Sequence, residues 1–204
     1  MIISDKANTE QPPVGTHIAI CVSLVDIGTQ RREYKGSVKM QRRVRIGWQM
    51  PECKRELGDH AGEPFLVTEF FTASLSEKAA LRHLLVNWRG REFSPQELVG
   101  FNLSAILGKP CLLALNEREN GKTGYGGVMN LPKGMPAPQL KGGTQYFSLE
   151  PEEYNESIFQ NLPDGIKAMI EASPEYQFIK NGDVVQDLAP NDHDVPAIFD
   201  PTAF

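Results

Sequence analysis

The feature that most constrains this chain is a change of hydrophobic period part-way along it. Over residues 16–25 apolar side chains alternate, with Ile18, Ile20, Val22 and Leu24 on one parity, which marks a strand. Gly28-Thr29-Gln30 breaks that strand. A longer one follows over 34–50, placing Val38, Met40, Val44, Ile46, Trp48 and Met50 on one face, and a polar loop with two glycines leads to a third over 65–71. At Ser74 the spacing turns helical. Ser74-Leu75-Ser76-Glu77 has the form of a capping box, and Leu81, Leu84, Leu85 and Trp88 follow at i, i+3, i+4, i+7, predicting an amphipathic helix over 75–88. Ser94-Pro95-Gln96-Glu97 opens a second, short helix ending at Gly100, and a further turn covers 103–107. Period two then returns over 110–116, turns at Asn120-Gly121 and comes back over 123–131.

Strands in a run, then helix, then a hairpin suggest a closed antiparallel barrel, because closure removes sheet edges. Five strands with a helix between the third and fourth is the plan of the OB-fold. The expected fold is therefore mainly β: a five-stranded OB-fold barrel over 16–150, preceded by a flexible arm over 1–15. A short sixth strand over 146–149 and two short helices within 151–182, carrying Phe159, Leu162, Ile166, Met169 and Ile170, pack back on the barrel. Residues 183–204 hold five Asp and no Lys or Arg, with three prolines, a composition expected to remain a disordered acidic tail.

The net charge of −5 argues by itself against a polyanion ligand, but the charge is unevenly spread. Residues 1–134 carry 18 Lys/Arg against 14 Asp/Glu, whereas residues 135–204 carry 3 against 12. That asymmetry fits a polyanion-binding body with an acidic tail. The densest cationic segment is 31–45, where Arg31, Arg32, Lys35, Lys39, Arg42, Arg43 and Arg45 face one acid, Glu33. Lys39, Arg43 and Arg45 lie on the parity opposite Val44, Ile46 and Trp48, so one strand face is cationic and the other is core. In an OB-fold the second and third strands and the loops after strands one and four form the oligonucleotide site. Arg31, Arg32 and Tyr34 fall in the first of those loops, and Arg118 and Lys122 in the second. The competing interpretation is a solvated strand face whose charges discourage aggregation.

Stacking surfaces for bases are sought among the aromatics. Trp48 and Trp88 lie on core stripes, and Phe71 shares parity with Phe65 and Val67. Phe70, Tyr34 and Tyr125 remain as candidates, the last within Gly124-Tyr125-Gly126-Gly127. Enzyme signatures are missing: Gly121-Lys122-Thr123 ends like a P-loop, but Asn116 stands where the first glycine belongs. The expectation is no catalytic residue, no cofactor and no metal; Cys53 with His60 makes half a zinc site, and Cys21 and Cys111 read as core thiols. No apolar run approaches the roughly 20 residues of a membrane span, and residues 1–15 lack a signal pattern, so a cytoplasmic location is expected.

Gly15-Thr16-His17-Ile18-Ala19 through Asp26-Ile27-Gly28-Thr29-Gln30, then Trp88-Arg89-Gly90-Arg91, Gly100-Phe101-Asn102-Leu103 and Leu107-Gly108-Lys109-Pro110, resemble a family of phage and prophage replication proteins. That resemblance spans about residues 14–175. It implies an OB-fold single-stranded-DNA-binding protein acting in replication or recombination inside a bacterial host. The final segment, with Ile198, Phe199 and Phe204, is similar to the acidic, Phe-ended tip of bacterial single-strand-binding proteins, which docks replication or recombination partners. It lacks that tip's consecutive Asp run and final Pro-Phe. An oligomer is compatible with either resemblance. Two alternatives of another class stay open: an adaptor whose barrel holds protein rather than DNA, and a nuclease or other enzyme.

Overall fold

In the computed structural model the chain is described over residues 10–34 and 36–181. Residues 1–9, Lys35 and the acidic segment with Ile198, Phe199 and Phe204 lie outside the described residues, and of Tyr34 only the backbone is described. The strands are β1 (Gly15–Tyr34), β2 (Ser37–Lys54), β3 (Pro64–Thr72), β4 (Pro110–Glu117), β5 (Thr123–Met129) and β6 (Gln145–Phe147). The helices are α1 (Ala80–Arg89), α2 (Pro95–Val99), α3 (Glu156–Gln160), α4 (Asp164–Glu171) and α5 (Pro174–Asn181), with a 3-10 turn at Leu103–Ile106.

Five strands run antiparallel in the order β3-β2-β1-β4-β5, and β6 adds parallel to β1 at Ser23–Val25. The sheet is open: β3 and β5, at its two ends, are not hydrogen-bonded to each other, which corrects the expectation of closure. Side chains meet across the gap instead. Tyr125 of β5 stacks on Trp48 at 5.4 Å between ring centroids and meets Phe71 edge-on at 5.5 Å. Arg118, in the β4–β5 turn, pairs with Glu69 of β3 at 2.6 Å.

Two bulges in β1 contribute to the curl of the sheet, since each extra residue bends and twists its strand. The first, at Val22, shifts the register between Cys21 and Ser23. It splits the expected parity set: Ala19, Cys21 and Leu24 enter the central core, while Ile18, Ile20 and Val22 do not. The second, at Ile27 and Gly28, lies where the sequence suggested a strand end. Gly28 takes a left-handed φ of +68°, and its N–H donates to Asp26 Oδ1 at 2.9 Å, so the glycine bends the strand without ending it. β1 therefore runs on to Tyr34, and the expected loop is a two-stranded arm.

Two cores sit on opposite faces of this sheet. Inside the curl, Trp48, Met50, Ile46, Leu85, Trp88, Leu113 and Leu115 pack at 3% exposure or less. Both tryptophans are core, as their parity and helical spacing predicted. The second core lies on the outer face, where Val25 and Ile27 of β1 are covered by Phe147, Phe159, Leu162, Ile166 and Ile170. Three helices rather than two cover this face. α1 begins at Ala80, with no side-chain cap, because the Ser74 hydroxyl accepts from Ser76 N–H in a local turn and never reaches a helix end. Ser94 and Glu97 do form the reciprocal capping box of α2. No helix among the described residues is long and apolar enough to cross a membrane.

Candidate functional site

Beyond Gly28, β1 pairs only with β2, from Thr29↔Arg42 to Tyr34↔Ser37. Directly opposed residues share a face, and successive residues alternate. One face of the arm thus carries Gln30, Arg32, Lys39 and Gln41, and continues along β2 through Arg43 and Arg45 onto the outer face of the sheet. The other carries Thr29, Arg31, Glu33, Val38, Met40 and Arg42. Val38 and Met40 have core parity but lie past the end of the core, so both stay about half exposed (48% and 46%).

The two faces differ sharply in charge state. Arg31 pairs with Glu33 at 3.5 Å. Arg42 lies 2.5 Å from buried Asp26 and 2.7 Å from Glu150. Burial pulls the Arg42 pKa down, but those two carboxylates outweigh it and hold the guanidinium above its ordinary range. On the outer face, Arg32, Lys39, Arg43 and Arg45 have no ion-pair partner among the described residues. Burial, joined by the nearby charge of Arg32 and opposed by Glu69, pulls the Arg43 pKa down, and burial does the same to Arg45. Arg43 and Arg45 are partly desolvated, Arg32 crowds Arg43, and only Glu69 offsets that repulsion, a state that an incoming anion relieves.

Neutral neighbours hold two of them in place. The Arg43 guanidinium sits 5.2 Å above the Phe70 ring, and Arg45 donates to Thr68 Oγ1 at 3.2 Å. Phe70 itself is half-buried against the second core, where it forms a floor for Arg43. Tyr125 is likewise turned into the central core on Trp48, where burial raises its pKa. Arg118 is committed to Glu69, and Lys122 is exposed in the hairpin turn. Of the expected cations, the structure gathers Arg32, Lys39, Arg43 and Arg45 on one face. It sets Arg31 on the reverse side and Arg118 against the β3 edge.

The Trp88-Arg89-Gly90-Arg91 motif is tied into the fold. Trp88 Nε1 donates to Pro110 O at 2.8 Å. The Arg89 side chain, 1% exposed, pairs with Glu97 and lies over Phe93 and Phe101 at 4.4 and 5.4 Å. Arg91 reaches the same carboxylate at 2.9 and 3.0 Å. Burial pushes the Glu97 pKa up, but hydrogen bonds from Arg91, Ser94 N–H and Arg89 prevail and bring it down to about 2.

Among the described residues no group of three or more His, Cys, Asp or Glu side chains is placed to hold a metal ion. His60 pairs with Glu63 at 3.0 Å, and Cys21 and Cys111 are fully buried, which pushes both thiols up. Sequence reasoning missed Thr68 and Gln41 as companions of the cations, since only the β2–β3 and β1–β2 registers bring them there. Compared with known proteins, the chain matches no family model and no curated protein.

Proposed function

We propose that the protein is a non-enzymatic single-stranded-DNA-binding protein, and that its curled sheet is a partly open OB-type barrel. The strand order β3-β2-β1-β4-β5, the helices between β3 and β4, and the β3–β5 approach through Phe71, Tyr125, Glu69 and Arg118 support the fold reading. One observation carries the functional reading: four cations with no ion-pair partner among the described residues share one sheet face, while Arg31 and Arg42 on the reverse face are neutralised. The strand's phosphates lie along Lys39, Arg32, Arg43 and Arg45. Bases stack on guanidinium planes, of which Arg43 is oriented by Phe70. Replication or recombination in a phage or prophage setting, in the bacterial cytoplasm, follows from the resemblance noted in the sequence.

The test is a fluorescence-anisotropy titration of labelled oligo-dT at several salt concentrations. Four neutralised phosphates predict a slope of log K against log salt of about −2.8, at roughly 0.7 per contact on a single strand. Absence of binding at low salt overturns the proposal.

A further inference from the structure

The outer face does not end at Arg45. Gln49 lies on the same parity of β2, and the register sets Pro110, Ile20, Gln49 and Leu66 in one row across β4, β1, β2 and β3. The loop that follows β5 is clamped to this row. Gln49 Nε2 donates to Lys141 O at 3.0 Å, and Lys141 N–H donates back to Gln49 Oε1 at 3.1 Å. At the Pro110 end is a recess of about 440 Å³, bordered by Trp88, Lys109, Pro110, Leu131, Lys133 and Met135. Among the described residues no Asp or Glu lines it. Lys109 is half-buried and Lys133 exposed, and neither has an ion-pair partner among the described residues. Strand geometry sets Gln49 about 13 Å along β2 from Arg45, and Pro110 about 10 Å across the sheet from Gln49.

We infer that this recess is a second contact on the same DNA strand, taking one nucleotide with its phosphate on Lys109 and Lys133 and its base against Leu131 and Met135. The inference rests on the proposed DNA-binding function. Its chemistry is that of a small-ligand site, with an apolar lining and a few charges at the mouth. The cations select an anion, the apolar walls select one with a flat hydrophobic part, and the volume admits a single nucleotide. Exposed Lys141 lies on the loop between the two contacts, so the strand crosses the loop to reach the recess.

The test uses the full chain with two lengths of oligo-dT, one short enough to cover only the arm and β2, the other long enough to reach the recess. Lys109→Gln with Lys133→Gln is expected to weaken the long oligonucleotide about 25-fold at 0.1 M salt and to make its slope shallower by about 1.4. Binding of the short one is expected to be unchanged. Photocrosslinking of the unmodified chain to an iodouracil-substituted oligonucleotide is expected to mark the peptide bearing Leu131 and Met135, whatever the variant's folding. Equal effects on both lengths, or crosslinks confined to β2 and the arm, overturn the recess while leaving the outer-face reading intact. Failure of the unmodified chain to bind either length overturns both.

Discussion

Arg31 and Arg32 are adjacent in sequence and point to opposite faces of the arm, so substituting each in turn isolates the geometry from the charge count. Arg32 stands opposite Lys39 without a carboxylate partner, whereas Arg31 is matched with Glu33 at 3.5 Å. With four contacts, affinity for single-stranded DNA falls about 50-fold between roughly 50 and 200 mM salt. Arg32→Gln leaves three contacts, a slope near −2.1 and a fall of about 18-fold over the same range. At 0.1 M salt that variant binds about fivefold more weakly, or roughly 1 kcal/mol. Arg31→Gln removes the same formal charge but no phosphate contact, so its slope is expected to stay near −2.8. Anisotropy titrations at four or more salt concentrations measure both slopes. Equal losses in the two variants refute the face assignment, and a larger loss in Arg31→Gln reverses it.

Other predictions concern the frame that holds this face. Glu97→Ala leaves the Arg89 guanidinium, 1% exposed, without its carboxylate; a loss of about 3–5 kcal/mol is expected in urea unfolding, much of it recovered when Arg89→Met is added. Glu97 is held at about 2 when folded against an ordinary 4.5. Its contribution is therefore fully present above 4.5 and lost as pH falls towards 2, so acid should weaken the native chain more than Glu97→Gln in parallel denaturation series. Gly28→Ala sets a Cβ 2.4 Å from the Ser173 side chain at a φ of +68°. It should lower the melting midpoint and loosen the second core, read as faster hydrogen exchange in α4 and α5.

What the sequence made legible was local. The capping box at Ser94, the helical stripe ending in Trp88 and the alternation of Lys39, Arg43 and Arg45 against Ile46 and Trp48 each depend on neighbours a few residues away. The order of three strands, a helical stretch and a hairpin was legible for the same reason. What failed depended on partners far along the chain. Gly28 looks like a strand end because glycine usually interrupts alternation, but Asp26 and the nearby Ser173 make it the site of a bulge. Once β1 continues, Arg31 and Arg32 must separate onto two faces, which no count of charges reveals. Phe70 and Tyr125 looked available because their strand neighbours are small or polar. One is half-buried against the C-terminal helices and the other against β2 across the open edge. The Ser74 signal failed because a hydroxyl that bonds two residues ahead builds a turn and a capped helix equally well in sequence.

The arm has one further consequence. A ribbon of two strands has two unpaired outer edges, and such edges invite pairing with another copy of the same chain. Arg32 directly opposite Lys39 costs the ribbon a few tenths of a kcal/mol in cross-strand repulsion. The same repulsion opposes the approach of a second arm, so the charges that weaken the hairpin internally also disfavour edge-to-edge pairing of two copies. Neutralising them to test DNA binding removes that protection as well. Light scattering of the Arg32 and Lys39 variants belongs beside every titration, because a self-associated arm would lose affinity without having lost a phosphate contact.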